Sequence, residues 1–571
     1  MDNYFTDNED IRFQFDHLDL DWVVQLRENG FSDAGKFPYA PKDLEDAREG
    51  YRQVLEIVGH IAGSCLGPRG AEIDHDGVRL ENGEVILARG TVEALEMFRK
   101  AELMGFSLPR KYGGLNLPVS VLAVAEEIIS RADGSFLNFG LHQDIGETIN
   151  KFGSEEIKSK YLPMLAEGKV GAAMILTEPE AGSDLQAVNM KAVQGSDGVW
   201  YLNGVKRFIT NGCAEVGLVL ARSEEGAKGG RGLSLFVYER DPATTTIRRL
   251  EDKLGIHGSP TCELQFNNAP CQLLGERRYG LTKYTMWLMN SARLGIAGQA
   301  LGIAEAAYRE ADKYAREREQ FGKSIREMTQ VFEMLTQMRV SIEAGRTLYY
   351  ETARIVDIKE GLEEAAHHHP EREKELASET RRYTRLAGIF TPMVKLYNTE
   401  MSNKVAYDGI QIHGGPGYMK DFNAERHYRD ARITNIYEGT SQLQVVAAIG
   451  GVMSGVAMEK LNEYEGEDYS HVPTLREQVT HAKNTLESII ADLKAKGDAQ
   501  LIEYHARRLV EMTTDLIQSY LLMRDAKASA RKVKVAEVFV EGALSRLEAS
   551  KRTMSASSSS LLRNYTDIIG S

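Results

Sequence analysis

The chain has 571 residues, of which 42 % are hydrophobic and 27 % are charged, and its formal net charge at pH 7 is −14. These proportions are those of an ordinary globular protein, and the length allows roughly three or four domains. The negative charge argues against nucleic acid as a partner, because phosphate binding requires clustered lysine and arginine. No apolar run of about 18 residues occurs, so we expect no membrane span. The N-terminus lacks an apolar signal region and the four cysteines show no regular spacing, so we expect reduced thiols and a cytoplasmic location.

Helical patterns dominate roughly the first 170 residues. Pro41 opens a run with apolar residues at helical spacing, and proline suits the first turn of a helix. Two further helices are expected over residues 117–130 and 143–165.

Short apolar runs with period two replace the helical patterns from Val170 to about Asn268, and they predict a small β-domain. Asp197-Gly198 and Asn203-Gly204 punctuate these runs. Because Asn-Gly is a strong hairpin signal, we expect residues 199–210 to form a hairpin that turns at Asn203-Gly204. Further strands are expected in residues 217–223, 232–240 and 262–266.

Helical periodicity returns near Leu281, in patterns over residues 281–317, 325–360, 380–412 and 441–460. Residues 363–375 are expected to form a solvated loop or a frayed helix end. The histidines His367 to His369 could bind a metal, but consecutive residues do not share a helix face, so no metal site is predicted. Residues 461–473 are expected to link to a separate helical unit, whose serine-rich stretch 555–560 is flexible or lies on the surface.

The order of helices, strands and again helices argues against a Rossmann-type parallel sheet, which needs alternating strands and helices. No GxGxxG motif follows a strand, and no phosphate-binding GxxxxGK motif occurs. The sequence HGGPG at 413–417 is similar to the oxyanion loop of some esterases, but no GxSxG elbow accompanies it.

Two segments of the β-domain carry small and polar residues where a buried ligand would need them. In MILTEPEAGSD (174–184) an apolar strand ends at Thr177, and Gly182 lets a backbone approach a ligand closely. In KRFITNG (206–212) Phe208 and Thr210 share one strand face and could support a flat conjugated ring. Taken singly, an ordinary strand-to-loop turn and a mixed strand face explain these segments equally well.

A third segment places a carboxylate just before a helix. Ser441 and Gln444 have the spacing of a capping box, so a helix should begin there and Glu438 should lie in the preceding turn. Burial between apolar stretches would raise the pKa of Glu438 towards that of a general base. A capping role at the helix N-terminus would instead lower that pKa. The segment alone leaves both interpretations open.

Together, these segments resemble the acyl-CoA dehydrogenases. The matching blocks are TEPEAGSD, KRFITNG, KLGIHGSPTCEL (253–264), RERE-QFGKSI (316–325), QIHGGPGY (411–418) and IYEGTSQLQ (436–444). They occur in the family's order across about residues 90–452. The C-terminal region resembles the extra helical domain of the larger bacterial members, such as the methylmercaptopropionyl-CoA dehydrogenase-like ones.

The resemblance implies an α+β multidomain fold of the acyl-CoA dehydrogenase type. It places an N-terminal helical domain at residues 1–170 and a middle β-barrel-like domain at 171–278. A C-terminal helical bundle follows at 279–455, with an additional C-terminal helical domain at 456–571.

The same resemblance implies FAD as cofactor, between the β-domain and the C-terminal helices. The residues that would contact FAD are Met174, Leu176, Thr177, Ser183, Phe208, Thr210, Arg318, Phe321, Gln411, Gly415, Thr440 and Gln442. Four of them would hold the adenosine half of a neighbouring subunit's FAD, namely Arg318, Phe321, Gln411 and Gly415. A shared cofactor implies a homo-oligomer, a homodimer or a dimer of dimers. The substrate contacts implied are Ser183, Arg293, Tyr437 and Gly439.

Glu438 matches the family's catalytic base. The resemblance implies that Glu438 removes the α-proton of an acyl-CoA while flavin N5 accepts the β-hydride, which gives a trans-2-enoyl-CoA and passes electrons to an electron-transfer flavoprotein. Some members carry the base one residue before the position of Arg293, where this chain has Ala292. Since alanine cannot act as a base, Glu438 is favoured. The pocket floor is expected from residues 136–142, Ala292 and Ile296.

Three departures from the family pattern lie near the expected flavin. Phe208 replaces a tryptophan, Glu180 replaces a glycine, and Met174 replaces an aromatic or polar residue. They bear on the flavin potential and the electron acceptor. The alternatives within the class are an acyl-CoA oxidase and a decarboxylating or cyclic acyl-CoA dehydrogenase. A DNA-associated flavoprotein and a purely binding role are the alternatives outside it.

Overall fold

The computed structural model describes residues 2–140, 143–556 and 559–570. Its N-terminal part is helical and carries one short antiparallel hairpin, β1 with β2, which the sequence patterns did not predict. The elements of this part are α1 Glu9–His17, α2 Asp21–Arg27, α3 Leu44–Ile61, α4 Gly70–Asp76, β1 Arg79–Glu81, β2 Glu84–Ile86, α5 Arg89–Lys100, α6 Val119–Ala132, α7 Gly134–Gly140, α8 Gln143–Phe152 and α9 Glu155–Ala166.

Helix caps set the boundaries that the periodicity left open. The helix expected from Pro41 begins at Leu44, because the Asp43 side chain accepts the backbone N–H of Asp46. The helix expected over 117–130 is α6. The single helix expected over 143–165 is two helices, since the Ser154 side chain caps α9 and ends the run.

The middle part is a β-barrel, as predicted. Its strands are β3 Ala172–Ile175, β4 Lys191–Gln194, β5 Trp200–Thr210, β6 Val216–Arg222, β7 Leu233–Glu239, β8 Thr245–Leu250 and β9 Thr261–Leu274. They run in the order β3-β6-β4-β5-β9-β7, with β8 on β9. Because β6 also pairs with β7, the sheet closes on itself.

The hairpin predicted at Asn203-Gly204 is wrong. These two residues lie inside the continuous strand β5, which pairs with β9 on both sides of them. The register shifts at Leu202/Asn203, and the Asn203 side chain forms hydrogen bonds with Asn268 across the strands. The Asn-Gly pair therefore accommodates a bulge. The actual turn is the one at Asp197-Gly198, between β4 and β5.

The C-terminal half is built on three long helices, with α12 packed against both α10 and α11. Its elements are α10 Met286–Glu317, β10 Glu319–Gln320, β11 Lys323–Ser324, α11 Thr329–His368, α12 Glu373–His413, α13 Ala424–Thr434, α14 Ser441–Ser454 and α15 Val456–Glu465. The loop predicted over 363–375 is mostly helical, because α11 continues to His368. Gly455, with φ +98°, separates α14 from α15.

The last helices are α16 Pro473–Lys496, α17 Ala499–Ala526, α18 Ala530–Ala556 and α19 Ser559–Ile569. They pack closely on the rest of the chain, since α17 contacts α11 and α14 within one apolar core. The Gln518 amide donates to the carbonyl of Ala344 on α11 at 3.0 Å. The predicted linker is shorter than expected and partly buried at Tyr469. Part of the serine-rich stretch, residues 557–558, lies outside the described residues.

No single helix among the described residues is long and apolar enough to span a membrane. The consecutive helices α14 and α15 reach that length and composition only together, and they are bent by 69°. Among all the residues that the structure describes, no group of three or more histidine, cysteine or acidic residues is placed to hold a metal ion.

Candidate active site

A cavity of about 210 Å³ lies where the β-barrel meets α6, α8 and α10 and the turn between α13 and α14. It brings together segments that are far apart in the sequence. The residues predicted for the site that line it are Met174, Leu176, Thr177, Phe208, Thr210, Tyr437, Glu438 and Gly439. The predicted pocket residues Ala292 and Ile296 line it as well.

Glu438 faces this cavity from the turn before α14. Burial and, to a smaller extent, the charge of Asp144 raise the pKa of Glu438 to about 7, although Lys395 and Arg293 act to lower it. The capping alternative is not what the structure shows, because the N-cap residue of α14 is Thr440, whose side chain accepts the N–H of Leu443. A carboxyl group with a pKa near neutrality can accept a proton at physiological pH.

The capping box predicted at Ser441 and Gln444 is wrong, although the helix does begin at Ser441. Ser441 donates instead to Glu400 at 2.5 Å. Gln444 reaches back into the turn and donates to the carbonyl of Gly439 at 2.9 Å. Gly439 has φ +87°, a conformation that strains any residue with a Cβ, so glycine is favoured at this position.

The barrel side of the cavity is formed by the end of β3 and by β5. A register shift between Lys206 and Ile209 gives Phe208 a φ of +60° and leaves its ring half exposed beside the cavity. The guanidinium of Arg207 lies 4.6 Å from the centroid of that ring. The bulge thus presents an aromatic face and the neighbouring Thr210 hydroxyl towards the cleft.

A buried lysine fixes the other barrel segment. Lys206 Nζ donates to the carbonyl of Leu176 at 2.6 Å and lies 3.0 Å from the carboxylate of Glu178. Glu178 in turn accepts the backbone N–H groups of Asn189 and Met190. This arrangement pins the strand end that carries Thr177 against β5.

Arg293 lies on α10 behind the Glu438 turn. Its side chain is buried, and its Nη1 donates to the Asn290 side chain at 3.0 Å. Burial lowers the pKa of Arg293, whereas Glu438 acts to raise it. Within the described residues Arg293 Nε has no hydrogen-bond partner. A buried donor without a protein partner is compatible with a ligand group at this end of the site.

Two further carboxylates line the cavity that sequence reasoning missed. Burial raises the pKa of Glu126 on α6 to about 7 and that of Asp144 on α8 to about 6. The hydroxyl of Tyr349 donates to Glu126 at 2.6 Å. For Glu126, the signal available in the sequence was its position as a charged residue inside the strongly apolar helix pattern of residues 117–130.

The other residues predicted for the site do not line the cavity, apart from part of the predicted pocket floor. Thr440 caps α14, and Ser183 is exposed beside Gly182, which does line the cavity. Of the predicted floor, Leu137 and Asn138 line the cavity, whereas Phe136 is buried against Phe98 and Phe139, and His142 lies outside the described residues. The exposed predicted residues are Arg318, Phe321, Gln411, Gly415 and Gln442.

The barrel face of this site fits a flavin. Phe208 offers a half-exposed ring for stacking, and the hydroxyls of Thr177 and Thr210 lie beside the same cavity. Nothing lies within 4 Å of the position that a Cβ on Gly182 would take, so the backbone there is open to a ligand. An aromatic face beside a few hydroxyl groups suits a flat ring with polar edges.

Family models for acyl-CoA dehydrogenases match four consecutive parts of the chain. They are the N-terminal domain at residues 61–169, the middle domain at 173–269, the C-terminal domain at 282–449 and a further acyl-CoA dehydrogenase C-terminal model at 453–557. The chain belongs to the acyl-CoA dehydrogenase family. The resemblance read from the sequence is therefore confirmed, and with it the fold, the oxidoreductase class and FAD as cofactor.

Relatives of this acyl-CoA dehydrogenase include longer and shorter proteins. The 3-methylmercaptopropionyl-CoA dehydrogenase of Ruegeria pomeroyi is 36 % identical, over 77 % of this chain and 75 % of its own length. The acyl-CoA dehydrogenase of Bacillus anthracis, solved in complex with FAD, is similar with a TM-score of 0.73 and 25 % identity over 90 % of this chain and 88 % of that one.

A shorter solved relative belongs to a study of the electron transferring flavoprotein of Acidaminococcus fermentans. It has a TM-score of 0.60 and 32 % identity, over 71 % of this chain and 98 % of that one.

Proposed function

We propose that this acyl-CoA dehydrogenase removes the α-proton and a β-hydride from an acyl-CoA thioester and releases a trans-2-enoyl-CoA. The observation that carries the proposal is the carboxyl group of Glu438, which faces the cavity opposite the flavin-compatible barrel face. Its pKa of about 7 suits a base that must be ionised before it takes a proton and neutral afterwards.

The residues of the turn would act on the thioester in two ways. The Glu438 carboxylate takes the α-proton, and the backbone N–H of the same residue donates to the thioester carbonyl as negative charge develops on its oxygen. Arg293 and Lys395 lie on the protein side of the turn and favour the ionised form of Glu438. FAD, when bound, supplies the hydride acceptor for the β-carbon.

Flavin contacts would come from two groups of residues. Met174, Leu176, Thr177, Phe208 and Thr210 would hold the ring system from the barrel side. Ser183 and Thr440 would contribute from positions next in sequence to the cavity-lining Gly182 and Gly439. The exposed group, Arg318, Phe321, Gln411, Gly415 and Gln442, would hold the cofactor from a second copy of the chain. The ring of Phe321 is 95 % exposed at a φ of +53°, which supports a contact outside its own subunit.

We propose a short acyl group as substrate. Glu126 and Asp144 make one wall polar, which disfavours a long hydrocarbon chain. The name of the Ruegeria pomeroyi relative also denotes a short acyl-CoA. Electrons would leave through an electron-transfer flavoprotein.

An acyl-CoA panel tests the proposal directly. The purified enzyme is assayed with straight-chain acyl-CoAs of increasing length and with 3-methylmercaptopropionyl-CoA, using an artificial electron acceptor. We expect enoyl-CoA formation, with kcat/KM highest for the short substrates. Hydrogen peroxide formed in air without any added acceptor would instead identify an oxidase, and no turnover of any acyl-CoA would contradict the proposal.

A further inference from the structure

A lysine lies directly beneath the turn that carries Glu438. Lys395, on α12, is 0 % exposed and has the buried apolar residues Val394 and Leu396 beside it in the sequence. Its Nζ donates to the carbonyl of Tyr437 at 2.7 Å and to the carbonyl of Gly439 at 2.5 Å. The two acceptors flank Glu438 on either side. An ammonium group is costly to bury without hydrogen-bond partners, and these two carbonyl groups offset that cost for Lys395.

The turn itself has a backbone that the sequence does not favour. Glu438 has φ +53° and Gly439 has φ +87°, so two consecutive residues are left-handed. For a residue other than glycine this conformation is unfavourable, and it persists only where the surroundings enforce it. Lys395 holds both flanking carbonyls from below, and Gln444 holds that of Gly439 from α14.

We infer that Lys395 is the positioning residue of the proposed base: it fixes the left-handed turn so that the Glu438 carboxyl group faces the cavity, and its charge favours the carboxylate. The inference rests on the proposed function, because it requires Glu438 to be the base. Lys395 itself does not line the cavity and therefore acts through Glu438.

The charges around the turn set the sign of the expected effect. Asp144 on α8 raises the pKa of Glu438, while Lys395 on α12 and Arg293 on α10 lower it. Glu126 on α6 shares the cavity. Burial lowers the pKa of Lys395 to about 7, Glu438 and Glu400 act to raise it, and Arg293 acts to lower it. Removal of the lysine charge must therefore raise the pKa of Glu438. On acidification, the variant should then lose activity at a higher pH than the wild-type enzyme does.

Lys395→Met tests the inference, since methionine fills a similar volume without a charge or a donor. In the wild-type enzyme we expect kcat/KM to fall below a pH of about 7, where Glu438 becomes protonated. In Lys395→Met this acid limb should move up by about one pH unit. At pH 8, kcat should fall on the order of 10²-fold, the scale of a misplaced catalytic group, while the flavin absorbance and the melting of the FAD-loaded protein are retained.

Two variants make the comparison specific. Lys395→Arg keeps the charge and should keep the acid limb near its wild-type position. Lys404→Met lies on the same helix, with an exposed lysine paired to Asp408, and should leave both kcat and the limb unchanged. If Lys395→Met does not fold, Lys395→Gln, which keeps a donor but no charge, should show the same upward shift of the limb.

An acid limb that stays in place in the folded neutral variant would overturn the inference, even if kcat falls equally at every pH. The single variant Glu438→Gln separates this failure from that of the proposed function. If Glu438→Gln keeps its turnover, the base assignment is wrong. If Glu438→Gln is inactive and the neutral Lys395 variant has a normal pH profile, only the positioning role is wrong.

Discussion

Glu438 shows how one residue can be ambiguous in the sequence and specific in the fold. Locally it precedes a helix, where a capping carboxylate is as plausible as a base. The fold gives the capping position to Thr440 and places Glu438 in a cavity, where Asp144 acts to raise its pKa and Lys395 and Arg293 act to lower it. The result is a carboxyl group whose pKa lies near 7.

Replacement of Glu438 by glutamine should abolish catalysis without unfolding the protein. Glutamine has nearly the same shape and keeps the backbone N–H, but it cannot take a proton. We expect kcat to fall by about 10³-fold, the scale of general-base loss, with unchanged flavin absorbance.

The matched control for this substitution is Glu459→Gln, an exposed carboxylate on α15, which should leave turnover unchanged. Turnover of Glu438→Gln within tenfold of the wild type would contradict the assignment. Loss of folding would be visible as loss of bound flavin.

Strand β5 shows that a bulge, and not only strand periodicity, presents the residues that are proposed to contact the flavin. The register shift between Lys206 and Ile209 turns the Phe208 ring towards the cleft. Lys206, which is 0 % exposed, ties this part of β5 to the carbonyl of Leu176 and to Glu178. Burial lowers the pKa of Lys206 to about 8, and Glu178 opposes that effect.

Lys206→Met should destabilise the barrel. The substitution leaves the Glu178 carboxylate buried without its cation, and breaking a buried ion pair in this way costs about 3–5 kcal/mol. We expect a lower urea midpoint, followed by tryptophan fluorescence, to which the buried Trp200 of the barrel contributes. Lys191→Met, at an exposed position of β4, should leave that midpoint unchanged. An unaltered midpoint in Lys206→Met would mean that the pair contributes nothing to the stability of the barrel.

At the scale of the molecule, buried ion pairs connect the first helix, the long helices and the C-terminal helices. Arg346 on α11 contacts Asp10 on α1, Glu127 on α6 and Glu305 on α10. Lys532 on α18 contacts Asp10 as well. Because these groups are fully buried, each cation compensates carboxylates from a different part of the chain.

Lys532→Met should loosen the contact between the C-terminal helices and the rest of the protein. Asp10 and Glu343 would each lose a buried partner, at a cost of about 3–5 kcal/mol. We expect a lower melting temperature and faster hydrogen exchange in α16 to α18. Lys534→Met, two residues away and exposed, is the matched control. Equal exchange in both variants would show that the C-terminal helices are held by apolar packing alone.

Arg318→Ala tests the proposed sharing of FAD between copies. Arg318 is exposed at the end of α10, away from the cavity of its own chain, so its loss should not affect folding. A hydrogen bond from a charged group such as the guanidinium contributes about 1.5–3 kcal/mol, so its loss corresponds to a roughly 10- to 100-fold weaker affinity for FAD.

The affinity is measured by flavin titration of the apoprotein, together with the oligomeric state. Arg316→Ala, whose arginine pairs with Asp312 in its own helix, should bind FAD normally. Normal FAD binding by Arg318→Ala would contradict the shared site.

Much of the fold was predictable from local patterns, because helical and strand periodicities are properties of short segments. These periodicities predicted the strands of the barrel and the long helices. The errors lie where a contact from elsewhere overrides the local signal. Asn203-Gly204 does not turn, because β9 pairs along the whole of β5. The packing of the C-terminal helices, in which α17 completes the core formed by α11 and α14, is likewise a tertiary contact that no local pattern predicts.

The sequence by itself determined the family, and it indicated the segments proposed to bind flavin and Glu438 as the candidate base, since these are carried by short runs of residues in a fixed order. Only the tertiary structure placed Lys395 beneath the turn, because its partners Tyr437 and Gly439 lie on a different element. The same holds for Glu126 and Asp144, which meet Glu438 only across the cavity. Charges act through space, so the pKa of a base depends on neighbours that no local pattern identifies.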